Sequence, residues 1–229
     1  IPLWPFHYWL TKVHVEAPTG FSIFLSGYLV KTALYCLLYF LLLFRNTVCI
    51  YISLAIIIWG SIDASIRMWS STDIKRLIAF ATIQEMNLIL IFIFLLNNIS
   101  WKFINIFILV HGILSSLLFF LVDQVQKRFF SRNLNIISGL SQLFFLTTII
   151  WFSLLIFRGF PLFVKFLIEW ELLFILWENF KTLGFLIFFI ISLFGVIGFS
   201  RIWFIVLYGQ NSINFIYKID ILKKDFYIS

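Results

Sequence analysis

The sequence predicts an all-α, polytopic transmembrane helix bundle. About six full spans are expected, with a half span at the N-terminus and one discontinuous helix near Pro161. Three observations lead there. First, 62% of the 229 residues are hydrophobic and only 12% are charged, whereas soluble domains run at about 45–50% apolar and about 25% charged. Mean hydropathy is correspondingly high, at +1.06. Second, apolar stretches long enough to cross a bilayer, which takes about 20 residues, recur along the whole chain. Third, the basic residues gather between those stretches. A water-soluble globular enzyme is excluded. Phe alone contributes 31 residues, a bias that an AT-rich, organelle-encoded gene would write into an apolar protein.

Taken in order, residues 1–11 are apolar but only half a span long, and Pro2 and Pro5 mark them as the end of a broken helix. Full spans follow at about 20–44, 48–69, 77–97 and 103–123. The stretch 140–176 is too long for one straight span, and Arg158, Gly159 and Pro161 interrupt it. Proline removes a backbone donor and breaks a helix. Broken backbone at membrane depth is tolerated only against protein or a water-filled cavity, and such helices mark ion or substrate sites in transporters. An ordinary proline kink is the other reading. A last span is expected at 183–207, then a polar, basic tail at 208–229. The whole reads as a single transmembrane domain.

The net charge is +7. Such a balance raises nucleic acid as a partner in a soluble protein, but here the charges sit in loops, so no nucleic acid is expected and the charges set orientation. Alternation places eight basic residues on one side: Lys75, Arg76, Lys127, Arg128, Arg132, Lys218, Lys223 and Lys224. Four fall on the other side: Lys12, Arg45, Lys102 and Lys181. The positive-inside rule assigns the first side to the cytoplasm or the mitochondrial matrix. The two cysteines, Cys36 and Cys49, form no CxxC or His/Cys cluster, so neither a metal site nor a disulfide framework is expected.

Ionisable residues inside the spans carry the functional signal, because each costs at least about 2.5–3.5 kcal/mol at the bilayer centre. Lys31, Glu85, His111 and Glu169 each lie well inside an apolar run. Asp63 and Arg67 are one turn apart, where opposite charges meet, and read as a structural pair. Glu171 and Glu178 approach a helix end and read as interfacial. His111 alone is equally a hydrogen-bonded core histidine. Together, a Lys, an imidazole and a carboxylate on three helices at mid-membrane depth are what proton transfer requires. A proton relay through Lys31, His111 and Glu169 is therefore expected, with no metal and no cofactor site.

Four segments resemble a known family in order and in register: PFHYWLTKVHVEAPTGFSIFLSGYLVK (5–31), TDIKRLIAFATIQEMNL (72–88), HGILSSLLFFL (111–121) and PLFVKFLIE (161–169). They are similar to subunit 4 of NADH:ubiquinone oxidoreductase, respiratory complex I, one of its antiporter-like membrane subunits. The HVEAP run at 14–18 and the carboxylate at Glu169 favour subunit 4 over its paralogues, which usually carry a Lys in the broken helix. The resemblance implies that Lys31 is the central lysine of the family's eighth helix, His111 the histidine of the eleventh and Glu169 the terminal acid of the broken twelfth. His7, His14 and Glu16 match auxiliary polar positions near the broken seventh helix, although a loop-structural role for Glu16 fits equally well. Asp73 and Lys75 match a loop motif read as structural.

The chain departs from the family at three places. Thr11 replaces a Pro, Tyr39 replaces an Arg, and Glu85 replaces a His. Either the relay is rewired at Glu85, or that residue is protonated and inert. The resemblance also implies a C-terminal half of the subunit, beginning within the seventh helix, whose other half is a separate chain or is missing. It further implies a mitochondrial inner-membrane location, membrane-arm subunits and lipid as partners, and FMN, iron–sulfur clusters and ubiquinone held by other subunits. A cation/proton antiporter or membrane-bound hydrogenase subunit, and a non-catalytic scaffold, are the competing readings.

Overall fold

The computed structural model describes residues 2–43, 47–95, 100–134, 137 and 144–208. The expectations for Arg45 and for the basic tail with Lys218, Lys223 and Lys224 lie outside them. Helix α1 (Tyr8–Glu16) ends before Pro18, whose extended backbone starts α2 (Thr19–Phe24). A π-helical turn at Leu25–Leu29 joins α2 to α3 (Val30–Leu43), so the three form one span. Then come α4 (Thr47–Ser70), α5 (Ile74–Phe94), α6 (Ser100–Phe129), α7 (Phe144–Phe157) and α8 (Val164–Tyr208).

The expected helical architecture is present, with five long apolar helices and the shorter α7. Two boundaries differ from the sequence reading. Helix α6 runs to Phe129 rather than 123, because Asp123 and Lys127 pair at 2.7 Å along its surface and the polar residues there favour helix. The chain does leave helical geometry between the two expected spans, but at the single residue Lys181 (φ 49°, ψ −130°), so α8 is two helices joined at a sharp kink without an extended loop.

Helix α5 is the axis of the bundle. In its spanning window 94% of the residues are buried, against 28–56% in the other four long apolar helices. It is mostly apolar, with no single polar face, as suits a helix enclosed by others, and α1, α4, α6 and α8 pack around it. Its polar residues Gln84, Glu85 and Asn87 are therefore interior. The outer faces expose Tyr51, Trp59, Leu167, Trp170 and Phe185. So much exposed apolar surface is foreign to a soluble monomer and suits contact with lipid.

One end of the bundle is tied by backbone. The amide of Ile74 donates to the Arg132 carbonyl (3.1 Å) and that of Leu134 to the Thr72 carbonyl (2.9 Å). The Arg132 guanidinium donates to the Val15 carbonyl at 2.6 Å, and the Lys75 ammonium to the Ala17 carbonyl at 3.3 Å. The loop after α4 and the end of α6, which alternation assigned to one side, thus meet there, and the end of α1 meets them. Lys12 of α1, counted with the other side, therefore belongs with this one, because a single span separates it from Arg45.

The expected break is built by α7's C-cap. Gly159 (φ 66°) donates to the Ile156 carbonyl, and Phe160 to the Leu155 carbonyl. This is the Schellman pattern, in which glycine takes the left-handed position past the helix end. Pro161 follows and cannot continue the helix.

Helix α6 approaches the π-helical turn closely at two glycines. A Cβ on Gly112 would lie 3.2 Å from the Gly27 carbonyl oxygen and 3.5 Å from Lys31 Cε. Small residues permit such approaches between membrane helices. Gly112→Leu is expected to destabilise the bundle by about 1–3 kcal/mol through overpacking, read as a lower thermal midpoint in detergent.

Candidate functional site

Lys31 follows the π-helical turn, a deviation often found at functional sites. It is 5% exposed. Its ammonium donates to the Ser26 carbonyl inside that turn and lies 3.5 Å from Ser115 Oγ on α6. Ser115 Oγ also reaches the Ser26 and Gly112 carbonyls, at 3.4 and 3.2 Å. Beside Lys31 a groove of about 380 Å³, lined by Gly27, Tyr28, Thr32, Tyr35 and Gly112 among others, opens to the outside.

One turn before Ser115 is His111, fully enclosed at 1% exposure, with neither ring nitrogen hydrogen-bonded to a described residue. Both Lys31 and Lys165 act on it electrostatically. Its ring centroid is 5.9 Å from that of Phe157, the last residue of α7.

Phe157 also borders a cluster of four charges. Lys165 Nζ lies 4.5 Å from the Phe157 ring centroid and donates to the Phe157 carbonyl, freed by the end of α7. The negative end of the helix dipole favours a cation there. The same ammonium is 2.8 Å from Glu85 Oε1 on α5 and 3.5 Å from Glu169 Oε1 one turn along α8. Arg158 interacts electrostatically with Glu85 and Glu169, stacks over the Phe199 ring at 4.4 Å and contacts Gln84 Oε1 at 3.4 Å. Gly159 makes room for the cluster, because a Cβ there would collide with the Glu169 carboxylate. Gln84 in turn donates to the Ile191 carbonyl (2.8 Å), tying the second half of α8 to α5.

Lys31, His111 and Glu169, the three residues selected from sequence, are therefore linked in one row of contacts: Lys31 reaches Ser115, one turn from His111, while His111 packs on Phe157, and Phe157 touches Lys165, which faces Glu169. Lys31 and His111 are buried and Glu169 is half-buried. Glu85 joins the row through Lys165. His14 is buried on α1, stacked on Phe119 at 4.5 Å and within electrostatic range of Lys31. Glu16 is exposed. His7 lies elsewhere. Its Nε2 is 3.1 Å from Asp63 Oδ2, in a cluster that includes the Tyr8 hydroxyl (3.4 Å) and Arg67, whose guanidinium pairs with Asp63 at 2.9 Å and covers the Tyr8 ring. The Asp63–Arg67 pair is thus structural, holding α1 to α4.

Lys165 and Arg158 were not selected from the sequence. Lys165 was legible, since it stands four residues before Glu169, the spacing that identified Asp63 and Arg67. Arg158 carried no such signal and was read only as an interruption. Cys36 is a free, exposed thiol. Among the described residues no group of three or more His, Cys, Asp or Glu could hold a metal ion.

A family model described as "NADH:quinone oxidoreductase/Mrp antiporter, TM" matches residues 1–195. The chain belongs to that family. It is 39% identical to NADH-ubiquinone oxidoreductase chain 4 of Paramecium tetraurelia over 229 residues, covering 99% of this chain and 48% of that protein. It is 30% identical to the Acanthamoeba castellanii chain 4 over 236 residues, covering 100% of this chain and 47% of that protein. Over 145 residues it is 36% identical to NADH-quinone oxidoreductase subunit M of Escherichia coli, covering 61% of this chain and 28% of that protein. The chain spans about half the length of the first two. Among solved structures, it superposes on a chain of an archaeal membrane-bound sulfane sulfur reductase with a TM-score of 0.84 and 17% identity, covering 92% of this chain and 44% of that one. A chain of the Mrp complex from a Dietzia species gives 0.84 and 18%, covering 92% and 40%. At those identities the shared property is the fold. This family member is an integral, multi-pass membrane protein.

Asp63→Ala would remove the acid facing buried His7 and loosen the α1–α4 contact. The expected cost is about 1–3 kcal/mol, that of leaving a buried polar group unpaired. Faster amide hydrogen exchange across Tyr8–Glu16, with other helices unchanged, is the readout.

Proposed function

We propose that this chain is a proton-conducting part of the membrane arm of NADH:ubiquinone oxidoreductase, with Lys31, His111 and Glu169 as its relay. The observation that carries the reading is this row of contacts: a buried lysine, a buried imidazole with no hydrogen-bond partner among the described residues, and an acid cluster, from separate helices, inside a bundle whose outer face is apolar. Charges are expensive in such surroundings and persist where they serve ion or proton movement.

The chemistry follows from the side chains. Neutral imidazole accepts at one nitrogen and donates at the other, so His111 can take a proton from the Lys31 side and pass one toward Glu169. Among the described residues no hydrogen bond links His111 to the acid cluster, so the hop between them needs bridging water. A counter-charge moving toward or away from Lys31 would change whether it holds its proton. Quinone reduction elsewhere in the complex would supply the energy, transmitted as charge rearrangement along the membrane arm. FMN, iron–sulfur clusters and ubiquinone would be held by other subunits. The partners would be neighbouring membrane-arm subunits, a chain carrying the N-terminal half of this subunit, and lipid. In the mitochondrial inner membrane, the loops with Lys75 and Arg76 and with Lys127, Arg128 and Arg132 would face the matrix. The chain 4 relatives support this reading over a cation/proton antiporter or hydrogenase subunit.

Lys31→Gln and Glu169→Gln in the intact complex, reconstituted in sealed vesicles, provide the test. Protons moved per NADH oxidised should fall several-fold in both, with the complex still assembled. An undiminished ratio in both variants would show that these groups are not the relay.

A further inference from the structure

The relay uses Glu169 but gives no task to Glu85 and Lys165, which are buried beside it, or to half-buried Arg158. An ammonium has three donors, and three acceptors from three elements converge on Lys165: the Phe157 carbonyl ending α7, Glu85 on α5 and Glu169 on α8. Lys165 is 1% exposed, and the Glu85 and Glu169 side chains are 3% and 19% exposed. The groups facing this point are Glu85 and Gln84 from α5, His111 from α6, Arg158 from the link after α7, and Glu169 from α8 itself. With both acids ionised, Lys165 and Arg158 balance Glu85 and Glu169. Adding a proton to Glu169 leaves one positive charge in excess, and only Glu85 remains to hold Lys165.

We infer that Lys165 is a counter-ion shared between Glu85 and Glu169, so that Glu85 sets how readily Glu169 takes its proton. Both are positioning residues for the relay proposed above, on which this inference rests. In the step, a proton adds to one Glu169 oxygen and converts carboxylate to carboxylic acid. Lys165 stays an ammonium, keeps the Phe157 carbonyl and closes on Glu85. When Glu169 passes its proton to the next acceptor, Lys165 returns. One O–H bond forms and one breaks, and no electron moves. The unequal separations, 2.8 Å to Glu85 and 3.5 Å to Glu169, fit a cation held by the first acid while the second is left open to protonation. A static Glu85–Lys165 pair that merely neutralises two buried charges is the competing account.

Infrared spectroscopy on the intact complex separates them. The readout is the protonated-carboxyl C=O band that disappears in Glu169→Gln. At neutral pH, Glu85→Gln hands Lys165 wholly to Glu169, and the band should shrink. Lys165→Gln removes the shared cation, and the band should grow. An opposite charge within about 4–6 Å changes a carboxyl's ionisation equilibrium by a factor of about ten or more, so both changes should be several-fold. Where Lys165→Gln does not assemble, Glu85→Asp, shortened by one methylene, gives the second point and a smaller decrease. A Glu169 band indifferent to both Glu85 substitutions overturns the shared counter-ion. That result leaves the relay itself standing, since the relay is judged by proton pumping in Lys31→Gln.

Discussion

A charge surrounded by hydrocarbon is tolerated only when something close at hand answers it, and the interior of this bundle is arranged around that demand. Lys165 is the clearest instance. Its ammonium is met by a helix-end carbonyl and two carboxylates. Each of those acceptors is unaffordable there without the cation. Breaking such a group by removing one partner typically costs about 3–5 kcal/mol, because the other charge is left buried and uncompensated. The cluster therefore links α5, α7 and α8.

The broken helix makes the cluster possible. An unbroken helix would have hydrogen-bonded the Phe157 carbonyl internally and carried a side chain at position 159. The Schellman cap at Gly159 ends α7 early and puts a glycine opposite the Glu169 carboxylate, leaving the Phe157 carbonyl for Lys165. The π-helical turn before Lys31 acts similarly, its Ser26 carbonyl receiving both Lys31 and Ser115. At both ends of the row, a local departure from α-helical hydrogen bonding offers a backbone acceptor to a buried lysine.

Much of this was legible residue by residue. The spans followed from hydropathy and length, because a bilayer-crossing helix must be apolar for a fixed distance. The discontinuity followed from Gly159 and Pro161. Lys31, His111 and Glu169 were conspicuous because ionisable residues are rare inside apolar runs. A break near Lys181 was legible, since Glu178 reads as interfacial and a new span is expected from 183, but its form, a kink at one residue, was not. His7 was grouped with the relay by its place in a motif, but its partner is Asp63, fifty-six residues away in sequence.

By itself, the sequence determined that the chain is a bundle of membrane helices and that it places at least three ionisable groups at mid-span depth. Hydrophobic length and charge placement are properties of each segment alone, so no tertiary information was needed. Only the tertiary structure decided which charge faces which. Whether Glu85 is an inert substitution or the partner of Lys165 depends on how α5 is rotated against α8. Rotation is set by the packing of whole helix faces, which no single segment encodes.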